Sequence, residues 1–331
     1  MNGTALTYGG EPVFLAGANQ PWYNYGNDWG DHRPDSQEWC VLKAALQNLS
    51  AAGGNTVRFW VFIEGARIPT WAPNGRTVVA GDSAGTLAAS MRRYTRLAAS
   101  LNILVVWCLW NGAGSNRLMD NRTRAMIEDP SGAALASFID NALVPLVKAL
   151  AGEPGLGAWE IMNEPEGSVS LWKDRLSDEP CFNPRSARSV GWSGNDIAMR
   201  DLQRFVARQV VAIHEADPTV LVTVGSASEY SLMSTAGLFN YWSDRCLAVA
   251  LRNHTASGAQ DVSASVASRN SGARIGTVNK GAKVKSSRFI DFYQVHIYPV
   301  GPGHNATWQP TAPFFGGGRP KSEYKLDKPL V

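Results

Sequence analysis

A carboxylate with the surroundings of a general acid follows an apolar run in the middle of the sequence. Residues 159–169 read WEIMNEPEGSV, so the run ends in Asn163 and Glu164. A glutamate at the end of a buried strand, flanked by tryptophan, is partly desolvated, which raises its pKa and suits it to donate a proton. A solvated loop glutamate is the alternative. We favour catalysis because Arg58 and a His-x-Tyr sequence also stand near strand ends.

Aromatic side chains near other strand ends offer flat apolar surfaces on which a ligand can stack. Trp22, Trp60 and Trp110 occupy such positions, with Asn111 beside them as a polar anchor. Three tryptophans inside helix or strand patterns are expected in the core: Trp39, Trp107 and Trp159. Two in the long loop after the fourth strand could extend a groove or lie on plain surface: Trp172 and Trp192.

The elements that must position these residues alternate along the chain as strands and amphipathic helices. Asp35 or Ser36 can cap the first helix, and Gly53 with Gly54 stops it. Further helical patterns cover residues 87–101, 135–150 and 197–213. Strands are predicted at residues 12–17, 56–63, 103–110, 157–162, 220–225 and 289–297, and the closing residues 329–331 resemble the start of a seventh.

Repeated strand–helix units with continuous apolar strands predict a parallel sheet covered by helices. A doubly wound sheet and a (β/α)8 TIM barrel both fit this pattern. A dinucleotide-binding sheet needs a G-x-G-x-x-G turn after its first strand, and the sequence GANQPW starting at Gly17 is not one. Because unusual residues follow several different strands, as at the catalytic face of a barrel, we predict the barrel, with 331 residues forming one catalytic domain.

The basic charge is concentrated in one segment. The chain carries 31 basic and 28 acidic residues, a net charge of +3. Residues 251–287 hold six basic residues against one acidic residue, a sum of +5, so the rest sums to −2. With no aromatic residue there and much Ser, Ala and Gly, we predict a disordered basic insertion. Nucleic-acid binding through this segment is the minority alternative, and we expect no nucleic-acid partner.

The cysteines, the apolar runs and the first residues of the chain are evidence on the cellular compartment of the protein. Cys40 and Cys108 fall in helix and strand patterns and are expected as buried thiols. Cys181 and Cys246, in loop-like sequence, are the plausible disulfide pair. The longest apolar run, residues 103–110, has eight residues, so we expect no membrane span. Polar residues follow Met1 at once, so no signal peptide is expected in the chain as written.

Seven segments together resemble glycoside hydrolase family 5, and within it the invertebrate-type endo-β-1,4-mannanases. They occur in the family's order and span most of the chain outside residues 251–287. The resemblance implies a (β/α)8 barrel and retaining hydrolysis of β-linked polysaccharide in a monomeric, extracellular enzyme without metal or organic cofactor. The segments are FLAGANQPWYNYGNDWG, NTVRFWVFIEG, VVWCLWNGA, WEIMNEPEGS, TVGSASE, DFYQVHIYP and LDKPLV.

The same resemblance assigns roles to individual residues. Glu164 matches the general acid/base, and Asn163 matches the residue that hydrogen-bonds the sugar 2-hydroxyl. Arg58 matches the arginine that keeps the nucleophile ionised. His296 and Tyr298 match a pair on strand six, two residues apart and so on one side of the strand; Tyr298 would donate to the nucleophile. For these residues the alternatives are an ordinary ion pair and ordinary core packing.

This chain departs from the family's pattern at the nucleophile. In the family the nucleophile is a glutamate three residues beyond a segment like KPLV, and Val331 closes the chain as written. We therefore expect a barrel incomplete at its C-terminus, with strands seven and eight largely missing and no hydrolysis by these 331 residues alone.

The function predicted by resemblance is endo-hydrolysis of β-1,4-mannan, with mannan or glucomannan as the polysaccharide partner. A β-1,4-glucanase of the same family is the alternative within this chemistry, because mannose and glucose differ only at the 2-hydroxyl. A polysaccharide-binding protein without activity is the alternative from another class.

Overall fold

The structure is a computed structural model. It describes residues 6–32, 35–114, 119–187, 190–232, 239–255, 289–296, 328 and 331. Tyr298 and residues 256–287 of the predicted insertion lie outside this part. Residues 251–255 belong to a helix, so the insertion cannot begin at residue 251 as predicted.

A six-stranded parallel sheet forms the centre of the molecule. Its strands lie side by side in the order in which the chain makes them, with no switch point where the order reverses. A doubly wound sheet needs such a point, whereas the wall of a barrel does not. The strand order therefore confirms the barrel over the doubly wound sheet. The strands are β3 (Gly17–Asn19), β4 (Thr56–Ile63), β7 (Leu104–Asn111), β8 (Leu156–Asn163), β9 (Leu221–Ser226) and β10 (Gln294–Val295).

Two short antiparallel hairpins accompany this sheet. The first precedes β3 and the second follows β4. Leu6, beside the first hairpin, packs against the buried cluster that contains Val106 and Phe292. The hairpins consist of β1 (Thr7–Tyr8) with β2 (Glu11–Pro12), and β5 (Thr70–Trp71) with β6 (Val78–Ala80).

The predicted first strand was wrong in position. The apolar run after Pro12 is not in the sheet, and Phe14 is 73% exposed. Its backbone instead bonds the Asn55 side chain, which accepts from the Ala16 amide at 2.8 Å and donates to the Phe14 carbonyl at 2.9 Å. The Asn55 backbone amide also donates to the Ala16 carbonyl at 2.7 Å, so this one residue binds the segment, and β3 begins only at Gly17.

The sixth strand is shorter than predicted. Phe289 and Ile290 are fully buried but irregular, and Asp291 turns the chain by accepting from the Val222 amide at 2.8 Å and contacting His214 at 3.0 Å. Beyond β10, the Val331 amide donates to the Tyr293 carbonyl, so the last residue pairs alongside this strand as expected.

Helices cover the outer face of the sheet. Of the two predicted caps, Asp35 is the one used, and it caps the first helix in a reciprocal arrangement with Glu38, which was not predicted. Gly53, with φ of 82°, follows the end of this helix as expected. The short third and the seventh helices were not predicted. The helices are α1 (Ser36–Ala51), α2 (Leu87–Ser100), α3 (Asn121–Glu128), α4 (Ala133–Phe138), α5 (Val144–Leu150), α6 (Met199–Ala216) and α7 (Asp244–Thr255).

The helix predicted over residues 135–150 contains a widened turn. A π-helical turn, Ile139–Leu143, joins α4 to α5 just before Pro145. Proline has no N–H to donate, so the regular ladder is interrupted there. Within the described part, the continuous stretch Ala133–Leu150 is long and apolar enough to cross a membrane by length and composition. Leu135, Phe138 and Leu146 on this stretch are buried in the core.

Aromatic rings fill the layer between sheet and helices. Trp29 packs edge-on against Phe59, Tyr94 and Trp107 at centroid distances of 4.9–5.4 Å. Trp107 and Trp159 are fully buried, as predicted, whereas Trp39 is only half-buried and carries the Arg93 guanidinium 3.7 Å from its ring centroid. The Cys108 thiol is buried, but Cys40 is exposed, because it lies on the solvent side of α1.

A disulfide joins Cys181 to Cys246 across 65 residues, as predicted. Cys246 lies in α7 and not in a loop. The bond ties the long loop after β8 to α7. In the chain-entropy model, closing a loop of this size stabilises the fold by about 4 kcal/mol.

Candidate active site

Side chains from neighbouring strand ends meet at one rim of the sheet. Glu64 follows β4 directly, Asn111 ends β7 and Asn163 ends β8. Asn111 pairs in register with Asn163, and Ile63 pairs with Trp110. The carboxyl ends of parallel strands share one edge, which is where barrel enzymes place their chemistry. The predicted rim site is therefore assembled.

Glu164 stands at this rim with an unusual backbone. Its φ of 43° and ψ of 57° place it in the left-handed region, which costs a non-glycine residue on the order of 1–3 kcal/mol. Its amide donates to the Gly225 carbonyl at 2.6 Å. Gly112 packs so closely that an added Cβ would lie 2.7 Å from the Pro165 Cα. The turn is therefore held from both sides and directs the Glu164 carboxyl into the groove, where it is 5% exposed.

The neighbours on β10 reach this carboxyl. His296 Nδ1 lies 2.8 Å from Glu164 Oε1. Gln294 lies 3.2 Å from the other ring nitrogen of His296, and its amide donates to Glu160 Oε2 at 3.1 Å. His296 is thus brought beside Glu164, and Tyr298, its predicted companion, lies outside the described residues.

Arg58 makes a bidentate pair with Glu160. Arg58 Nε and Nη2 each lie 2.6 Å from a different oxygen of this carboxylate, which is fully buried. Burial raises the pKa of Glu160, but the charge and hydrogen bonds of Arg58 outweigh it and hold the pKa below its usual value. Arg58 was predicted to pair with the family's nucleophile; among the described residues it pairs with Glu160 and Asn163.

Sequence reasoning missed Glu160, although a signal was present. It is a charged residue inside an apolar strand, and a buried charge requires a partner. The register between β8 and β9 shifts between Glu160 and Asn163, so both contact Arg58 although they are three residues apart. Simple alternation would have put them on opposite faces.

A chain of polar side chains runs from the groove's edge to Arg58. The Tyr25 hydroxyl donates to Glu64 Oε1 at 2.5 Å, and Asn111 Nδ2 donates to the same oxygen at 2.6 Å. Asn163 Nδ2 donates to Asn111 Oδ1 at 2.9 Å, and Arg58 Nη2 donates to Asn163 Oδ1 at 2.8 Å. Burial raises the pKa of Glu64. Neither Tyr25 nor Glu64 was singled out from the sequence.

The predicted aromatic platform is assembled in part. Trp22 is 39% exposed and packs on Trp60 at 5.1 Å between ring centroids, and both line the groove with Asn111. Trp172 and Trp192 are exposed on the loop after β8 and do not line this groove.

Trp110 was predicted to bind sugar, and this prediction was wrong. Its ring is 1% exposed, stacks on Phe62 at 5.0 Å and donates to Gln209 of α6 at 2.9 Å. The register between β4 and β7 shifts just before this point. The alternation of side chains breaks there, and Trp110 turns towards the helices.

A further buried carboxylate supports the turn after Glu164. Glu166 is fully buried and accepts from the Ser226 hydroxyl at 2.6 Å, the Trp242 indole at 2.7 Å and the Ala227 amide at 3.1 Å. Burial raises the pKa of Glu166. The 3-10 turn Pro165–Ser168 is thereby tied to the end of β9. Sequence reasoning missed this residue as well.

The groove has a volume of about 700 Å³. Trp22, Tyr25, Asn163, Glu164 and His296 all line it. In the part of the chain that the structure describes, no group of three or more His, Cys, Asp or Glu side chains is placed to hold a metal ion. The arrangement combines a carboxyl that can transfer a proton, amides that can bind hydroxyls and exposed aromatic rings.

Comparison with known proteins identifies the family of this chain. No family model matches the chain. The chain is 35% identical to the mannan endo-1,4-β-mannosidase of Mytilus edulis, over 100% of this chain and 78% of that protein. It is 33% identical to the mannan endo-1,4-β-mannosidase of Cryptopygus antarcticus, over 95% of this chain and 70% of that protein. The crystal structure of endo-1,4-β-mannanase from Eisenia fetida matches with a TM-score of 0.78 at 35% identity. The match covers 100% of this chain and 78% of that protein. The chain therefore belongs to the endo-1,4-β-mannanases of glycoside hydrolase family 5.

Proposed function

We propose that this chain, together with the nucleophile that the family resemblance implies, hydrolyses internal β-1,4 linkages of mannan with retention, and that Glu164 is the general acid/base. The observation that carries the proposal is the Glu164 carboxyl, which lines the groove between His296 and the amide-bearing end of β8. General acid catalysis needs a carboxyl within hydrogen-bond reach of the leaving oxygen, and a groove-lining position provides this.

The neighbouring residues support distinct parts of the reaction. His296 Nδ1 contacts Glu164 Oε1, so the ring can orient the carboxyl. Asn163 is suited to the sugar 2-hydroxyl, a contact that strengthens as the oxocarbenium-like transition state forms. Trp22 and Trp60 can receive the apolar face of a pyranose ring.

Retention also requires a second carboxylate about 5 Å from the first. Glu160 does not suit this role, because it is fully buried and both of its oxygens are bound by Arg58. We therefore assign Glu160 a supporting role and leave the nucleophile unassigned among the described residues.

The disulfide supports a proposal on compartment. Bonds such as Cys181–Cys246 persist in oxidising environments. We propose that the protein acts outside the cell, on mannan or glucomannan, as a monomer.

Glu164→Gln tests the proposed role. The amide keeps the shape but cannot give up a proton, so turnover on mannan should fall by about 10²–10⁴-fold. Binding in mannan affinity gels should persist. Glu128→Gln is the matched control, because Glu128 pairs with Lys173 and Arg124 outside the groove. More than a tenth of wild-type activity in Glu164→Gln would exclude it as the acid. Parallel assays on carboxymethylcellulose separate mannanase from glucanase activity.

A further inference from the structure

The row of hydrogen-bonded polar side chains along the rim has an acceptor, Glu64, at one end and a donor, Arg58, at the other. At one end, the Glu64 carboxylate can only accept hydrogen bonds when ionised, and at the other the Arg58 guanidinium can only donate. Two side-chain amides, those of Asn111 and Asn163, stand between them with contacts of 2.6–2.9 Å. Glu64 and both amides are buried, at 4–5% exposure.

The charged groups Glu64 and Arg58 allow only one orientation of the two side-chain amides between them. Because Glu64 only accepts, Asn111 must turn its NH₂ group towards it and its oxygen towards Asn163. Asn163 must then turn its NH₂ group towards Asn111 and its oxygen towards Arg58. Any single flip would set two donors or two acceptors face to face in a buried site, where an unsatisfied polar group is costly.

The fold makes this chain rigid. Asn111 and Asn163 pair in register on adjacent strands, and Glu64 follows β4 one position after the Ile63–Trp110 pair. The Asn111 oxygen also accepts from the Ala113 amide at 3.0 Å. The relative position of the two amides is therefore set by the backbone register of β7 and β8.

We propose that Glu64 is a positioning residue that, together with Arg58 at the other end, fixes the orientation of the Asn163 amide, and that it acts on this amide through Asn111. The amide nitrogen of Asn163 carries two N–H bonds, and Asn111 takes one. The other N–H is the group that would serve the sugar 2-hydroxyl, so this inference rests on the proposed function. Glu64 itself need not touch the substrate.

Kinetics on mannan test the inference with Glu64→Leu, which removes the acceptor. We expect kcat to fall about 10–100-fold, the equivalent of one charge-assisted hydrogen bond, while KM changes less than about threefold. Asn111→Ala should give a similar loss. The double variant should be no worse than Asn111→Ala within about twofold, because Glu64 acts through Asn111. If the loss of kcat in the double variant equals the product of the losses in the two single variants, the inference is wrong.

Three further variants locate the effect. Glu64→Gln keeps an acceptor and should retain intermediate activity, which also guards against misfolding of the leucine variant. Tyr25→Phe removes the other donor to Glu64 and should cost less than Asn111→Ala. Glu128→Gln should stay within about twofold of wild type. If Tyr25→Phe reproduces the full loss and Asn111→Ala does not, Glu64 acts through Tyr25 and the inference is wrong.

A second measurement does not depend on turnover. The side-chain amide protons of Asn163, identified by their loss in Asn163→Ala, should shift in the NMR spectrum of Glu64→Leu and stay unchanged in Glu128→Gln. Unchanged Asn163 signals in Glu64→Leu would overturn the inference even if wild type is active. Wild-type protein that neither binds nor cleaves mannan would defeat the proposed function, while the NMR comparison would still decide whether Glu64 orients Asn163.

Discussion

Removing the charge of Glu160 should destabilise the protein strongly. Glu160→Gln keeps the size of the side chain but leaves the Arg58 guanidinium without its carboxylate, and Arg58 is itself 9% exposed. Breaking a buried ion pair on one side costs about 3–5 kcal/mol, because an uncompensated charge stays buried. A folded domain is stable by only about 5–15 kcal/mol. We therefore expect a fall in melting temperature of the order of 10 °C.

A paired replacement separates stability from function. Exchanging both members of a buried pair for apolar residues of similar size is often neutral or stabilising. Arg58→Met with Glu160→Leu should therefore recover at least half of the stability lost in Glu160→Gln. It should not recover activity, because Asn163 Oδ1 loses its donor. Differential scanning calorimetry and mannan hydrolysis on the same preparations measure both effects.

Acid titration supplies an independent test. Arg58 holds the pKa of Glu160 below its ordinary value of 4.5 in the folded protein, against the opposing effect of burial. The stabilisation is therefore fully present above about pH 4.5 and is lost as the pH falls through the lower folded value. The free energy of unfolding of Glu160→Gln should depend less steeply on pH in this range. A melting temperature within about 2 °C of wild type, or an identical acid dependence, would refute this reasoning.

Three other predictions concern single contacts. Gly225→Ala should lower stability and activity together, since its Cβ would lie 2.2 Å from Glu160 Oε1; wild-type behaviour in both assays would contradict this. Cys181→Ala with Cys246→Ala should lower the free energy of unfolding by about 2–4 kcal/mol in denaturant titrations, and a loss below 1 kcal/mol would show that the bond adds little. Asp35→Ala should cost about 1 kcal/mol by removing the cap of α1, whereas Asp35→Asn should cost less.

Periodicity and capping predicted the elements because these signals are local. The strand Thr56–Ile63 and the helix start at Asp35 match the sequence predictions. The segment around Phe14 was assigned wrongly, because a distant side chain, Asn55, takes over its backbone hydrogen bonds. No local pattern reports a contact that spans 39–41 residues.

Site residues could be predicted from the sequence where the residue type and its place at a strand end indicate a chemical role. Glu164 and His296 are together as expected, since both follow strands of one sheet. Trp110 was misplaced because a register shift is invisible in the sequence. Glu64 and Glu160 were overlooked because their importance arises from partners on other strands, which only the folded chain brings together.

The bond between Cys181 and Cys246 also makes a covalent ring. The ring contains all of α6 and β9, and with them Gly225, whose carbonyl holds the Glu164 amide. A protease that cuts one peptide bond inside the ring opens it without separating the chain. The two pieces would run apart on an electrophoresis gel only after reduction. In a medium that contains proteases, single cuts inside this ring would leave the turn at Glu164 and the strand that supports it covalently joined.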